Sequence, residues 1–327
     1  MRHIFFSILT LGLFLTCTSD AKVSESNEEG KTPKGNMETT GNVAASTLAL
    51  LEEVNKNPND HDGNSQKLNK VANAFISAKK TTQGVKLLEQ AIRNHYSAPY
   101  TAQNAFDLMN VYKNRYGDSG NQVIMAQAIK TSFPTFSKMD EVEKNIPSDS
   151  KGILETINEI RANMTDKETG RLDLKQANRY ITYSEIYALM MPKEKIVPEL
   201  LQKAGEVARS IRAYPKSIEI YDWILDKYGD TKFASQALFM KAFTFDNELN
   251  DKKKAKAFYE AFLKKYPKDS FADDTKFLLD NIGKTNEDII KSFNGIKANK
   301  GTTGDNSKDN AKGTKKAPSK KQKVREN

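Results

Sequence analysis

The sequence has few of the residues from which most catalytic and metal sites are built. Its 327 residues include one cysteine, three histidines and one tryptophan. A single cysteine excludes a disulfide within the chain, and His61 and His95 are not spaced as a metal-binding pair. Glycine-rich phosphate loops and nucleophile elbows are also missing. We therefore expect no cofactor, no metal and no enzymatic activity.

Signals for β-strands are equally scarce. No run of alternating β-branched residues occurs, and glycine and proline fall between stretches that have helical periodicity. The sequence therefore predicts an all-α fold.

One pattern of spaced residues is clearest in residues 238–267. Small residues occupy the positions where two helices would approach closely, large ones fill the space between them, and a proline follows the second helix. The predicted packing residues of this copy are Leu238, Ala242, Phe245, Ala255, Tyr259, Phe262 and Pro267.

The pattern recurs twice upstream with equal steps. Ala72 and Gly84 are 12 residues apart, as are Gly205 and Ser217, and steps of 4, 3 and 5 follow in both copies. The copy at 238–267 has one additional residue, which we place in the turn at 247–254. The predicted packing residues of the upstream copies are Leu68, Ala72, Phe75, Gly84, Leu88 and Ala91, and Leu201, Gly205, Ala208, Ser217 and Tyr221.

These positions resemble the tetratricopeptide repeat, a pair of helices of about 34 residues. The stretch FLKKYPKDSFADDTKFLLDNIGK, residues 262–284, is similar to exported bacterial repeat proteins of outer-membrane assembly and of division coordination in the periplasm. The resemblance implies a tetratricopeptide-like α-solenoid whose surface holds a protein or peptide partner. It also implies a place in the cell envelope.

The N-terminal residues are typical of an export signal. Residues 1–3 are basic, and residues 4–16 form an apolar run that is too short to span a membrane. Cys17 follows that run and resembles the lipid-attachment cysteine of bacterial lipoproteins. We expect a lipoprotein anchored at Cys17 and facing the periplasm, at the outer membrane. The alternative is a soluble periplasmic protein, with ordinary cleavage after Ala21.

The C-terminal tail holds most of the net charge. Residues 297–327 include ten basic and three acidic residues and carry +7 of the formal +9. Such a tail attracts anionic lipid, lipopolysaccharide or cell-wall polymer. Since no aromatic residue interleaves the lysines, we expect no nucleic acid. The alternative is a solubilising tail without a partner.

Composition and periodicity divide the chain into six parts. Two segments have too few apolar residues to form a core, and we expect both to be disordered. The predicted parts are a signal peptide at 1–17, a disordered linker at 18–42, N-terminal repeats at 43–135, irregular bridging helices at 136–197, C-terminal repeats with capping helices at 198–296, and a disordered basic tail at 297–327.

The predicted function is a non-enzymatic scaffold of the cell envelope that mediates protein–protein interactions in outer-membrane or envelope assembly. The alternative is an enzyme-associated or carrier domain with a site in the irregular region 153–191. Tyr180, Tyr183 and Tyr187 form one stripe there, which we expect to be core. A cavity in that region with converging, buried carboxylates would favour the alternative.

Overall fold

The computed structural model describes residues 43–284 and 287–288, and the described chain is all-α as predicted. In this part, the β-type pairing is limited to one isolated bridge between Thr165 and Leu172. The helices are α1 Ala45–Lys56, α2 His61–Ser77, α3 Thr81–Asn94, α4 Thr101–Asn114, α5 Ser119–Ser132, α6 Met139–Glu143, α7 Ile153–Asn163, α8 Leu174–Met190, α9 Val197–Ser210, α10 Tyr214–Lys227, α11 Lys232–Phe243, α12 Lys252–Lys265 and α13 Ala272–Asn281.

Helix starts follow local chemistry. Asp60, Asp118 and Asp251 immediately precede α2, α5 and α12. The side chain of each accepts a hydrogen bond from the backbone N–H of the residue three positions later. Such caps satisfy amides that have no partner inside the helix. Pro198 and Pro215 lie in the first turns of α9 and α10, where the missing N–H costs nothing.

Helices that are neighbours in sequence pack as pairs, among them α2 with α3, α9 with α10, and α11 with α12. Close approach explains the small residues between them. A methyl group added at Gly84 on α3 would come 2.7 Å from the carbonyl oxygen of Ala72 on α2. Only glycine leaves that backbone contact undisturbed.

The additional residue of the third copy lies in a different place from the one we predicted. We placed it in the turn at 247–254, but α11 continues into a π-helical turn, Thr244–Glu248. The amide of Leu249 donates to the carbonyl oxygen of Thr244, five residues back, at 3.0 Å. A π-turn absorbs one residue without breaking the helix, so the apolar faces on both sides remain in place.

Helix α8 packs between the helix pairs that precede it in the sequence and those that follow it. This helix packs against α3, α5, α7 and α9. Its predicted tyrosine stripe, Tyr180, Tyr183 and Tyr187, is buried. Because α8 contacts helices from both sides of the sequence, it is the element around which the candidate site is built.

The buried residues form two clusters. The first runs from Val54 to Ala237, and the second consists of residues between Leu238 and Ala272. The partly buried side chains of Leu225 and Met240 pack against both clusters. The apolar core is therefore continuous in contact from α1 to α13.

Several predictions fall on residues outside this description. Cys17, the linker 18–42 and the tail 297–327 are among them. Among the helices that the structure describes, none combines the length and the apolar composition that a membrane crossing requires.

Candidate functional site

The predicted packing residues lie between helices rather than at an open site. Most of them are buried, whereas Phe75 is partly buried and Pro267 is exposed just beyond α12. The buried ones are Leu68, Ala72, Gly84, Leu88, Ala91, Leu201, Gly205, Ala208, Ser217, Tyr221, Leu238, Ala242, Phe245, Ala255, Tyr259 and Phe262. Their pattern therefore reports how the helices pack, and a binding site must be sought elsewhere.

Three adjacent cavities follow one side of α8, and we call them together the α8 groove. The first lies beside Lys175 and Arg179, the central one beside Glu185, and the third beside Pro192. Thr182 lines both the first and the central cavity, and Leu189 lines both the central and the third. The shared walls make one row of cavities along the helix.

The central cavity has a volume of about 350 Å³ and is walled by five helices. Three of these helices present stripes with helical spacing, in which residues three or four apart share a face. The stripes are Val85, Glu89 and Arg93 on α3, Ile181, Glu185 and Leu189 on α8, and Lys216, Glu219 and Trp223 on α10, with Tyr112 added by α4 and Asn121 by α5.

The charges in the central cavity are unequally paired. The Lys216 Nζ lies 3.1 Å from a carboxylate oxygen of Glu185 and 3.3 Å from one of Glu219. The guanidinium of Arg93 lies over the ring of Trp223, 5.0 Å from its centroid. Within the described chain, the carboxylate of Glu89 makes no ion pair and accepts no hydrogen bond. One carboxylate in the cavity is therefore left without a partner.

This arrangement shifts the pKa values of the cavity groups. Burial, and then the charge of Glu185, raises the pKa of Glu89 from 4.5 to about 7. Burial also raises the pKa of Glu185 despite its ion pair with Lys216. Burial opposes the charged form of Lys216, but the neighbouring carboxylates raise its pKa overall. The pKa of Tyr112 is raised by burial and by Glu89. Glu89 therefore changes charge near neutral pH.

The two ends of the groove are basic. Lys175 and Arg179 line the first cavity together with one carboxylate, Asp118, which caps α5, and Lys193 and Lys227 line the third. In the third cavity, Tyr228 fixes the wall by donating its hydroxyl to the carbonyl oxygen of Pro192 at 3.0 Å. The groove thus has an acidic middle between two basic ends.

The two histidines in the described chain meet although their spacing gave no sign of a pair. His61 is the first residue of α2 and His95 follows the last residue of α3, and their Nδ1 atoms lie 3.0 Å apart. Burial, and then the charge of His61, lowers the pKa of His95. Among the described residues, no group of three histidine, cysteine or carboxylate side chains is arranged to hold a metal ion.

Sequence reasoning missed most of the groove. It singled out Glu185 only as part of the region 153–191, and it gave no role to Glu89, Arg93 or Lys216. One signal was available, the spacing of four between Glu89 and Arg93. That spacing predicts a shared helix face, but it does not say which face meets a cavity.

The comparison with family models bears on the last helix pair. Residues 236–269, which hold most of α11, the π-turn and α12, match the model described as Tetratricopeptide repeat. Residues 236–269 form a tetratricopeptide repeat. In this tetratricopeptide repeat the ring of Phe239 contacts those of Tyr259 and Phe262, with centroids 6.4 and 6.0 Å apart. No curated protein matched the chain.

The tetratricopeptide repeat and the α8 groove use different residues. Apart from Ala237, the buried apolar residues of the repeat belong to the second cluster. The residues that line the groove all lie before the repeat, and the last of them is Tyr228. Helical repeat proteins of this kind typically bind protein partners. The chain is therefore a helical repeat protein with a candidate interaction groove outside its best-defined repeat.

Proposed function

We propose that this chain is a non-enzymatic scaffold of the bacterial cell envelope that holds a protein partner in the α8 groove and takes part in outer-membrane or envelope assembly. One observation carries the proposal: a tetratricopeptide repeat at 236–269 belongs to a helical array that also forms a long groove. Repeat arrays support extended binding surfaces because each unit packs only on its neighbours and leaves another face free.

The partner is tested by affinity purification of the full-length protein from native membranes, with mass spectrometric identification. The matched variants are Thr182→Trp, which fills the groove, and Ala257→Trp, which adds the same ring at an exposed position of α12. The proposal expects Thr182→Trp to lose the partner and Ala257→Trp to keep it. Retention by both variants would place the partner outside the groove.

The location of the protein in the cell is a separate part of the proposal. A lipid on Cys17 would anchor the chain to a membrane, and the basic tail at 297–327 would contact anionic lipid, lipopolysaccharide or cell wall. Cell fractionation of the wild type and of Cys17→Ser tests the anchor. Unchanged membrane retention of Cys17→Ser would contradict the lipid anchor. Recovery of the wild type in the cytoplasm would contradict a location in the cell envelope.

A second candidate function is favoured by the cavity itself. Glu89 and Glu185 face one partly enclosed space, and the pKa of Glu89 is raised to about 7, which suits a general acid or base. An enzymatic or carrier role with a site at 153–191 predicts such carboxylates. Wild type and Glu89→Gln are compared on chromogenic peptide, glycoside and ester substrates. Turnover that is lost in Glu89→Gln would support this candidate, and no turnover by the wild type would remove it.

A further inference from the structure

The central cavity of the α8 groove has an unmatched negative charge. The groups that face Glu89 are Arg93 on its own helix, Tyr112 on α4, Glu185 on α8, and Lys216 and Glu219 on α10. Lys216 is shared by two carboxylates, and Arg93 is stacked on Trp223. Three carboxylates therefore face two cations, so one further positive charge would balance the cavity when Glu89 is ionised.

The walls of the same cavity are suited to an aliphatic chain. Val85, Ile181, Ile186 and Leu189 line it together with Trp223. The methylenes of a lysine or arginine side chain pack on such surfaces while the charged end reaches a polar partner. The volume of about 350 Å³ is at the lower end of small-ligand cavities and suits a side chain rather than a folded element.

The groove is long enough for an extended segment. Its α8 wall runs from Lys175 to Pro192, which corresponds to about 25 Å at 1.5 Å per residue. An extended chain of about seven residues covers that length. The basic ends, with Lys175 and Arg179 on one side and Lys193 and Lys227 on the other, favour acidic residues at the ends of the segment.

We propose that the α8 groove binds an extended segment of a partner protein, with acidic ends and a central lysine or arginine whose charged group pairs with Glu89. The inference rests on the proposed scaffold function and specifies the chemistry of its partner. Binding requires the ionised form of Glu89, which predominates only above neutral pH because its pKa is about 7. Affinity therefore falls as the pH drops through neutrality.

The test uses the full chain, purified in detergent, and fluorescent seven-residue peptides measured by anisotropy. The peptides share acidic ends and differ at the central residue, which is lysine, norleucine, arginine or citrulline. We expect lysine and arginine to bind at least about tenfold more tightly than norleucine and citrulline, the usual scale of one partly buried ionic contact. The preference shrinks to about twofold in Glu89→Gln.

Two further variants keep the result interpretable. Glu89→Asp keeps the charge and is expected to retain the preference, whereas Glu260→Gln neutralises an exposed carboxylate on α12 and should leave it unchanged. Unfolding curves show whether each variant is folded. Equal binding of lysine and norleucine peptides by the wild type, or an unchanged preference in Glu89→Gln, would overturn the inference.

The same experiment separates this inference from the scaffold proposal. If no peptide binds while affinity purification still captures a partner that Thr182→Trp loses, the cation site is wrong and the scaffold stands. If affinity purification captures no partner, the scaffold proposal itself is wrong. Peptide binding that emerges only after residues 297–327 are removed would assign the cavity to the chain's own basic tail, and so overturn a site for a partner.

Discussion

Gly205 on α9 lies against the ring of Tyr221 on α10, so closely that an added methyl group would come 2.5 Å from the Cε1 atom. Both are positions of the repeated pattern. Because a ring atom this near must move, Gly205→Ala should destabilise the chain by about 2 kcal/mol, despite the better helix propensity of alanine.

A double-mutant cycle with Tyr221→Ala measures this contact in urea. Removing the ring opens space for the methyl group, so Gly205→Ala should cost less in the Tyr221→Ala background than in the wild type. Equal costs in the two backgrounds would show that the glycine is not there for the ring.

A second prediction concerns the close contact between α11 and α12 in the tetratricopeptide repeat. Ala242 on α11 is fully buried, and Ala257 on α12 is exposed. Ala242→Trp should lower the free energy of unfolding by about 1–3 kcal/mol because it wedges apart packed helices. Ala257→Trp carries the same ring into solvent and serves as the control in thermal melts. Similar melting temperatures for the two variants would contradict the packing.

A third prediction concerns the buried carboxylate of the π-turn. Asp246 accepts hydrogen bonds from the Lys252 ammonium at 2.8 Å and from the Tyr259 hydroxyl at 3.2 Å. Asp246→Ala leaves the Tyr259 hydroxyl without its acceptor and removes the carboxylate partner of Lys252, which keeps its bond to the backbone carbonyl oxygen at 2.9 Å; the change should cost about 2 kcal/mol. Asp226→Ala, at an exposed carboxylate on α10, is expected to change stability by less than about 0.5 kcal/mol. Urea unfolding compares them, and a near-neutral Asp246→Ala would refute the role given to this network.

The fourth prediction is a pH dependence of stability. The pKa of Glu89 is raised from 4.5 to about 7 in the folded chain, so between these values the folded state holds a proton that the unfolded state has lost. Stability contributed by this proton is present below about pH 4.5 and is lost as the pH rises through about 7.

Replacement of this carboxylate isolates its contribution. Glu89→Gln cannot ionise, so it should be more stable than the wild type by about 2 kcal/mol at about pH 8 and roughly equal to it near pH 5. Unfolding in urea at both pH values gives the two differences. A constant difference across the range would mean that the Glu89 pKa is not raised.

The sequence could predict what depends on spacing along one helix pair. Residues such as Ala72, Gly84 and Tyr221 recur at fixed steps because each pair must bring the same two faces together. The same reasoning detected the extra residue of the third copy but placed it in the turn at 247–254, whereas it lies in the π-turn Thr244–Glu248. An insertion is compatible with either a longer turn or a π-turn, and the spacing alone does not distinguish them; the structure has the π-turn.

The α8 groove was beyond that kind of inference. Glu89, Glu185 and Lys216 are brought together by α3, α8 and α10, which are distant in sequence, and no periodic pattern links them. The buried face of α8 could be predicted, since Tyr180 and Tyr183 share one helical stripe. Its opposite side could be recognised only once the neighbouring helices were in place.

The position of α8 has a consequence for how the chain unfolds. In a simple repeat array each unit touches only its neighbours, and the ends can melt while the middle persists. Here α8 contacts α3 and α5 as well as α9, which ties early and late helices into one apolar cluster. Helices α1–α10 should then lose their structure in a single transition, and hydrogen exchange should show them opening together. The repeat at 236–269, with a cluster of its own, is the part that can open first.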